Sequence, residues 1–393
     1  MPSWLLPSVL PVFILFFLFG LINNVLYVII LSAAVDLVGA RTPKAAVLLA
    51  NILPSFTVKV AAPFFIHKIA YAQRMVVLVA LLTAGMLLVS LPPLIPPKIA
   101  GIMLASVSLG AGEVTFLQLT HFYLGTLAVG GFSLGTGGAG IVGSFYYLFL
   151  TNICRFASWK VLLVSSAMPL VILVVYHRLL PPQEPRESLG DEIPAWATTD
   201  AGAHIKDTLN KIKPLVKPYM LPLTSVYLFE YVINQGISPT LLYPLDQVPQ
   251  WLIRTYRDTY VVYGFLYQLG VFISRLSINF GVRIRHLEVM AILQGLNVVL
   301  CVIQLMLFKF PFPSIWMLFP VMVYEGLLGG FAYINTFVAV SEASTDDTRE
   351  FNMGAVSMSD SLGIVIAGIV NWAVETRLCR WQVDHGRLWC QQG

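Results

Sequence analysis

Seven ionisable side chains of this chain stand where charge is expensive. Glu113, His121, Glu230, Arg275, Glu325, Asp360 and Lys59 each fall within a long apolar stretch. In hydrocarbon such groups must turn inward, toward a partner or water, and they characteristically serve charged solutes or protons. Their spacing sorts them onto faces. Tyr227, Glu230 and Asn234 sit at i−3, i and i+4 on one helical face, and Gly264, Gln268, Arg275 and Asn279 form another stripe. Glu325 lines up with Gly329, Ala332 and Thr336, Asp360 with Asn371, Glu113 lies near Thr120, and Lys59 follows Ser55. Any one of them is as well explained as interhelical glue. Four acids set against Lys59 and Arg275, with His121 titratable, are more charge than packing requires.

Arg275 is the most demanding of the set, because a guanidinium at that depth needs an anion. One candidate is Glu230 on the preceding span, which would make the pair structural and leave Glu113, Glu325 and Asp360 to receive a cation. The other is the carboxylate or phosphate of a bound solute, gripped bidentately. An amino acid, and a basic one in particular, suits both signs of charge. Glu113 and Glu325 occupy corresponding places in two halves of the chain, so the pair is expected to meet near a pseudo-two-fold axis and to couple transport to protons.

The elements that must position these residues are membrane spans. Hydrophobic residues make up 57% of the 393 and charged residues 11%, with a mean hydropathy of +0.78, against about 25% charged residues in soluble domains. A net charge of +4 spread over loops implies no nucleic acid. Cys154, Cys301, Cys379 and Cys390 lack the spacing of a disulfide framework or a zinc site, and no N-glycosylation sequon occurs. The first hydrophobic block has no basic residue before it and is too long for a signal peptide, so it reads as retained.

At about 20 apolar residues per crossing, spans fall near 10–38, 45–66, 74–91, 98–125, from the glycine run to 153, 161–178, 218–238, 259–280, 287–308, 314–340 and 353–372. That count of eleven divides as six and five. Ile22-Asn23-Asn24 resembles Ile233-Asn234-Gln235 at an offset of 211, and Glu113 matches Glu325 at 212. Adding 212 to the sixth span lands on residues 373–390, where Arg377, Arg380, Asp384 and Arg387 forbid a twelfth. The expected architecture is all-α and polytopic, with two parallel pseudo-repeats in a major-facilitator-like 6+5 arrangement. Its parts are an N-terminal bundle (1–178), a hydrophilic loop with a basic amphipathic segment (179–217), a C-terminal bundle (218–375) and a basic tail (376–393). Lys and Arg in the loop favour a cytoplasmic position for it, which puts the N-terminus in the cytoplasm and the C-terminus across the membrane.

The glycine run from Gly131 to Gly140 cannot face lipid as a structureless loop. Its Gly135-Thr136-Gly137-Gly138-Ala139-Gly140 fits a dinucleotide fingerprint in letters only, since no strand precedes it. Gly131, Gly135, Gly137, Gly138 and Gly140, with Gly326 and Gly330, read instead as helix-packing positions. Cys390 occupies a prenylation slot whose neighbours suit it poorly. No motif calls for a cofactor or a metal, and no nucleophile with a base partner suggests an enzyme.

Seven blocks carry a family resemblance. GLINNVLYVIILSAAVDLVG (20–39), GAGEVTFLQLTHFY (110–123), LGTGGAGIVGSFYYLFLT (134–151), YLFEYVINQGI (227–237), YQLGVFISR (267–275), YEGLLGGFAYINTF (324–337) and REFNMGAVSMSDSLGI (349–364) resemble the signature blocks of battenin, in its fungal vacuolar form. The resemblance implies a multi-pass protein of the vacuole or lysosome membrane with a role in pH homeostasis and in basic amino-acid transport, arginine above all. In animals it also implies export of glycerophosphodiesters. The expected function is a transporter or transport regulator acting on a small solute, with proton coupling. The alternative is a membrane scaffold that engages trafficking or proton-pump partners through the 179–217 loop.

Overall fold

The computed structural model describes residues 10–39, 42–61, 66, 69–91, 94–120, 123, 125–180, 209–277, 283–308 and 310–391. Apolar stretches satisfy their backbone groups in lipid by coiling, and among the described residues every regular element is helical. The N-terminal half comprises α1 (Leu10–Ser32), the short α2 (Ala34–Val38), α3 (Ala45–Ala61), α4 (Tyr71–Ser90), α5 (Ile95–Thr120), α6 (Gly125–Leu148), α7 (Ser158–Ser165) and α8 (Leu170–Val174). The C-terminal half comprises α9 (Leu221–Val232), α10 (Tyr256–Leu276), α11 (Leu287–Leu307), α12 (Ile315–Ala343) and α13 (Asp346–Asp384). With α7 and α8 counted as one broken rod and α2 as an appendix of α1, these are the eleven expected spans. Seven are long and apolar enough to cross a membrane by those criteria alone. The rest are short, carry charge inward or, like α6, are rich in glycine.

Three elements depart from the sequence expectation for identifiable reasons. The glycine run does not precede a helix; it lies inside α6, because its glycines let α6 press against a neighbour's backbone. A Cβ at Gly131 or Gly135 would strike the carbonyl oxygens of Phe13 or Phe17 on α1. The sixth rod breaks between Ser165 and Leu170, where Pro169, which has no N–H to give, precedes α8. The eleventh helix is 39 residues long and runs past the expected boundary at 375 to Asp384. Charges that bar a lipid crossing do not bar a helix. Glu375 and Gln382 hold this extension down, both buried, the first against Lys44 and the second donating to the Thr240 carbonyl at 2.7 Å.

The cysteine reading also needs correction. Cys379 and Cys390 form a disulfide across a separation of 11 residues, an isolated staple rather than a framework. It folds the chain end back so that the Trp389 ring lies 5.0 Å from that of Phe308 and 6.3 Å from that of Tyr256. Cys390 is thereby buried, and its sulfur is committed to the disulfide rather than to a lipid thioether.

The two halves repeat each other's packing. Helix α1 lies along α6 as α9 lies along α13; α3 against α5 as α10 against α12; α4 against α5 as α11 against α12. Asn23 of α1 donates to the Leu109 carbonyl of α5, and Asn234, its counterpart at offset 211, donates to Glu325 of α12. The halves meet along α6 and α10 and along α3 and α13. Apolar side chains such as Val76, Val77, Ile292, Leu296 and Val299 point outward, as a lipid-facing surface requires.

Candidate functional site between the halves

The face opposite the N-terminus is sealed by charge. Arg257, in the first turn of α10, sends Nε to both oxygens of Asp36 at 2.9 Å and Nη2 to Asp36 Oδ2 at 2.6 Å. Its Nη1 reaches Asn152 Oδ1 at 2.9 Å and Asp258 Oδ1 at 3.1 Å. Tyr147 donates to Asp36 at 2.5 Å, and Arg155 bonds Asp258 at 2.9 Å. Asp36, Tyr147, Asn152 and Arg155 belong to the N-terminal half, Arg257 and Asp258 to the C-terminal half, so the network ties the halves together. Local sequence places Asp258: with Thr255 it forms a capping box at the head of α10, and its Oδ2 accepts the Thr255 N–H at 3.2 Å. A second tie lies on the same face, where Lys44 at the head of α3 meets Glu375 at 2.8 Å with both side chains buried.

The middle of the molecule is different in kind. Arg275, near the other end of α10, lays its guanidinium over the Tyr333 ring at 4.4 Å from the centroid, and its Nη1 lies 3.8 Å from where a Cβ on Gly137 of α6 would stand. Among the described residues it makes no ion pair, and its Nε is buried without a hydrogen-bond partner there. The expected pair with Glu230 is not formed among the described residues; Glu230 Oε1 accepts the hydroxyl of Tyr267, on the same helix as Arg275. Across the interface Lys59 of α3 pairs with Glu113 of α5 at 2.5 Å, both side chains about a third exposed at 33% and 36%. Asp360 of α13 lies within electrostatic range of that pair, and Tyr333 within range of all three. Tyr27 of α1 and Tyr231 of α9 touch hydroxyls at 3.3 Å between the halves.

Deeper still, Asn234 lies in the π turn Ile233–Ile237 that continues α9, and its Nδ2 donates to Glu325 Oε1 at 3.0 Å. The turn forms where Gly236 lets Asn371 of α13 come against the backbone; π turns often mark functional positions. Glu325 is fully buried. A cavity of about 40 Å³ lies beside Asn234, lined on one side by Val28, Leu31 and Ser32 of α1 and on the other by Asn234, Tyr267 and Gln268 among others. That volume holds water rather than a larger solute.

The comparisons with known proteins agree with this architecture. The family model described as CLN3 protein matches residues 14–201 and 185–381. Protein BTN1 of Candida albicans is 53% identical, covering 96% of each chain, that of Debaryomyces hansenii 51% over 99% of each, and that of Saccharomyces cerevisiae 44% over 96% of this chain and 97% of its own. The chain belongs to the CLN3 family. The battenin resemblance is thus borne out. Among solved structures this CLN3-family chain is similar to PepTSo, a transporter of the POT family, at a TM-score of 0.62 and 12% identity, covering 96% of this chain and 92% of that one. It is also similar to the nucleoside transporter NupG, at 0.61 and 12% identity, covering 95% and 97%. At such identities the likeness shows the fold alone, the major-facilitator arrangement expected from the repeat. Family and fold together mark a multi-pass membrane protein of the CLN3 family with a transporter-like fold.

Of the residues singled out from sequence, Lys59, Glu113, Arg275 and Asp360 come together around Tyr333, and Glu230, Asn234 and Glu325 form a second cluster. Glu113 and Glu325 do not approach as a matched pair, since each is held in a different cluster. His121 lies outside the described residues, as does most of the 179–217 loop. The glycines divide in two: Gly131, Gly135, Gly326 and Gly330 press helices of one half together, while Gly137 and Gly140 face Arg275 and Gln268 of the other half, and Gly138 merely faces the Phe17 ring at 3.9 Å. Sequence reasoning passed over Asp36, Tyr147, Asn152 and Arg257, which end or begin spans and look like ordinary flanking residues. The Thr255-x-x-Asp258 box was the readable signal. It also passed over Tyr27 and Tyr333, since a lone tyrosine in an apolar helix is usually core.

Proposed function

We propose that this CLN3-family protein carries a small zwitterionic or basic solute, of the amino-acid class, across a vacuole-type membrane and so helps set luminal pH and basic amino-acid content. The supporting observation is Arg275: a guanidinium stacked on Tyr333, facing the opposite half and lacking any ion-pair partner among the described residues. It would take a carboxylate, and the Glu113 and Asp360 carboxylates nearby would take a cationic end. Rocking the two halves would expose this site to alternate faces. In the conformation described, the face opposite the N-terminus is shut by Arg257 and Lys44. With the N-terminus in the cytoplasm and the loop and its lysines on the same side, the closed face is the luminal one.

Purified protein in vesicles, loaded in turn with arginine, a neutral amino acid, an organic anion and a glycerophosphodiester, tests the reading. Saturable arginine flux that Arg275→Gln weakens at least tenfold supports it. Flux of the anions alone would replace the amino-acid assignment, and absence of any flux, with a cellular phenotype lost on replacing residues 179–217 by a neutral linker, would favour a scaffold. Protease sensitivity of the C-terminal tail on the cytoplasmic face of intact vacuoles would overturn the orientation.

A further inference from the structure

We infer that Glu230 and Glu325 form a proton-binding dyad, a site that holds one proton between two carboxyl groups and is fed by water from the cavity between the halves. The geometry begins on α9. Glu230 and Asn234 are four residues apart on one face, so their Cβ atoms are about 6 Å apart, and Asn234 bonds Glu325 directly at 3.0 Å. Asn234 thus bridges from the turn after Glu230 to Glu325, and Glu230 lies within electrostatic range of Glu325. Glu230 is 1% exposed and Glu325 0%.

Each carboxyl is satisfied on one oxygen and bare on the other. Tyr267 donates to Glu230 Oε1 and Asn234 to Glu325 Oε1, whereas Oε2 of both is buried with no hydrogen-bond partner among the described residues. Gly329 of α12 packs against Glu230 Oε2 so closely that a Cβ there would collide with it. The surrounding charges do not relieve the pair. On α10, Arg275 is within electrostatic range of Glu230 but bonds it nowhere, and on α13 Asp360 adds a like charge. On α11, Cys301 faces Glu325. Tyr27, Tyr227, Tyr231 and Tyr267 also stand near Glu230, and of these Tyr267 donates its hydroxyl to it. Two buried carboxylates so placed shed one charge by sharing a proton. A metal cation would demand a fuller shell, about six oxygens for a hard ion, and two bare oxygens do not provide it.

The route is short. Tyr267 and Asn234, the donors to the two acids, both line the 40 Å³ cavity. A hydronium ion arriving there loses its proton, an O–H bond forms on one bare Oε2, and water is left behind. The dyad itself stands apart from the Arg275 site; only its use in driving solute movement rests on the transporter reading above.

Infrared difference spectra of the full-length protein, recorded between cytosol-like neutral and vacuole-like acid buffer, test it. The wild type should gain one buried carboxylic C=O band on acidification. Glu325→Gln or Glu230→Gln should remove or displace the band and abolish the difference in thermal midpoint between the two buffers, while the exposed Glu342→Gln keeps both. Tyr267→Phe, which leaves both acids in place but strips a donor from Glu230, should shift the band and serves if a glutamine variant fails to fold. A band unchanged in all three, or no band in the wild type, overturns the dyad. A midpoint that responds to sodium chloride but not to potassium chloride at fixed pH, through Glu325, also overturns it, in favour of a sodium site. A band that behaves as expected beside flux that ignores pH would leave the dyad standing and sink the coupled-transporter reading instead.

Discussion

Two arginines stand near opposite ends of α10, about 27 Å apart along its axis at 1.5 Å per residue, and the molecule treats them oppositely. Arg257 spends every nitrogen on Asp36, Asp258, Asn152, Tyr147 and Ser158, mostly across the boundary between the halves. Among the described residues Arg275 spends none on an acid, and it rests on an aromatic ring. A guanidinium saturated by its own chain is a fastening, and one left unsaturated in a polar interior has room for a ligand. The same contrast separates Lys44 and Glu375, both sealed from water, from Lys59 and Glu113, both about a third open to it. Closure and binding thus use the same residue types, divided by how completely each charge is matched.

The largest expected effect lies at the sealed end. Arg257→Met leaves Asp36 and one oxygen of Asp258 without their cation, and breaking such a buried pair costs about 3–5 kcal/mol. Thermal unfolding of the purified protein should show that loss, and exchanging Asp36 and Arg257 should restore part of it. A cost below about 1 kcal/mol would place the network with surface ion pairs and erase the contrast. At the other arginine stability should hardly move. Arg275→Gln and Arg275→Lys should instead weaken solute flux roughly tenfold to a hundredfold, the value of a hydrogen bond to a charged group, since lysine keeps the charge but loses the planar fork and the stacking. Unfolding on loss of Arg275 would make it a structural residue after all.

Gly326→Ala tests the scaffold that carries both arginines. The added Cβ would meet the Tyr267 carbonyl oxygen on α10, and overpacking of this kind costs about 1–3 kcal/mol. Because Tyr267 and Arg275 both lie on α10, flux should fall along with the unfolding midpoint, and unchanged values for both would show that the two helices have slack. The smallest effect belongs to Lys59→Met. Its pair with Glu113 is about a third open to solvent, so unfolding should change by less than about 1 kcal/mol, although the flux of cationic solutes should respond. A stability loss like that of Arg257→Met would mean that the middle of the protein is fastened as tightly as its end.

Much of this was legible in the chain and some was not. The acids and Arg275 stand out by type and depth, the glycine stripe announces close helices, and the offset of Asn23 and Asn234 exposes the repeat that the packing then follows. Glu113 and Glu325 show where such reading stops. Their equivalence in sequence is real, yet the structure gives one a lysine and the other an asparagine, because equivalence fixes a place in a repeat and not the side chain that comes to face it. Cys379 and Cys390 likewise look unconnected until the chain end turns back beneath Trp389.

The sequence by itself determined what is local: which segments must coil in lipid and which face of each helix carries its polar residues. These follow from burial and a period of 3.6 residues, which operate within a single segment. Only the tertiary structure decided the partners. Arg257 finds Asp36 across 221 residues, Lys44 finds Glu375 across 331, and Arg275 finds Tyr333 rather than Glu230. The rotation and tilt of each helix are set by all its neighbours at once, through contacts such as Gly326 on Tyr267, and a turn of one helical position is enough to exchange one partner for another.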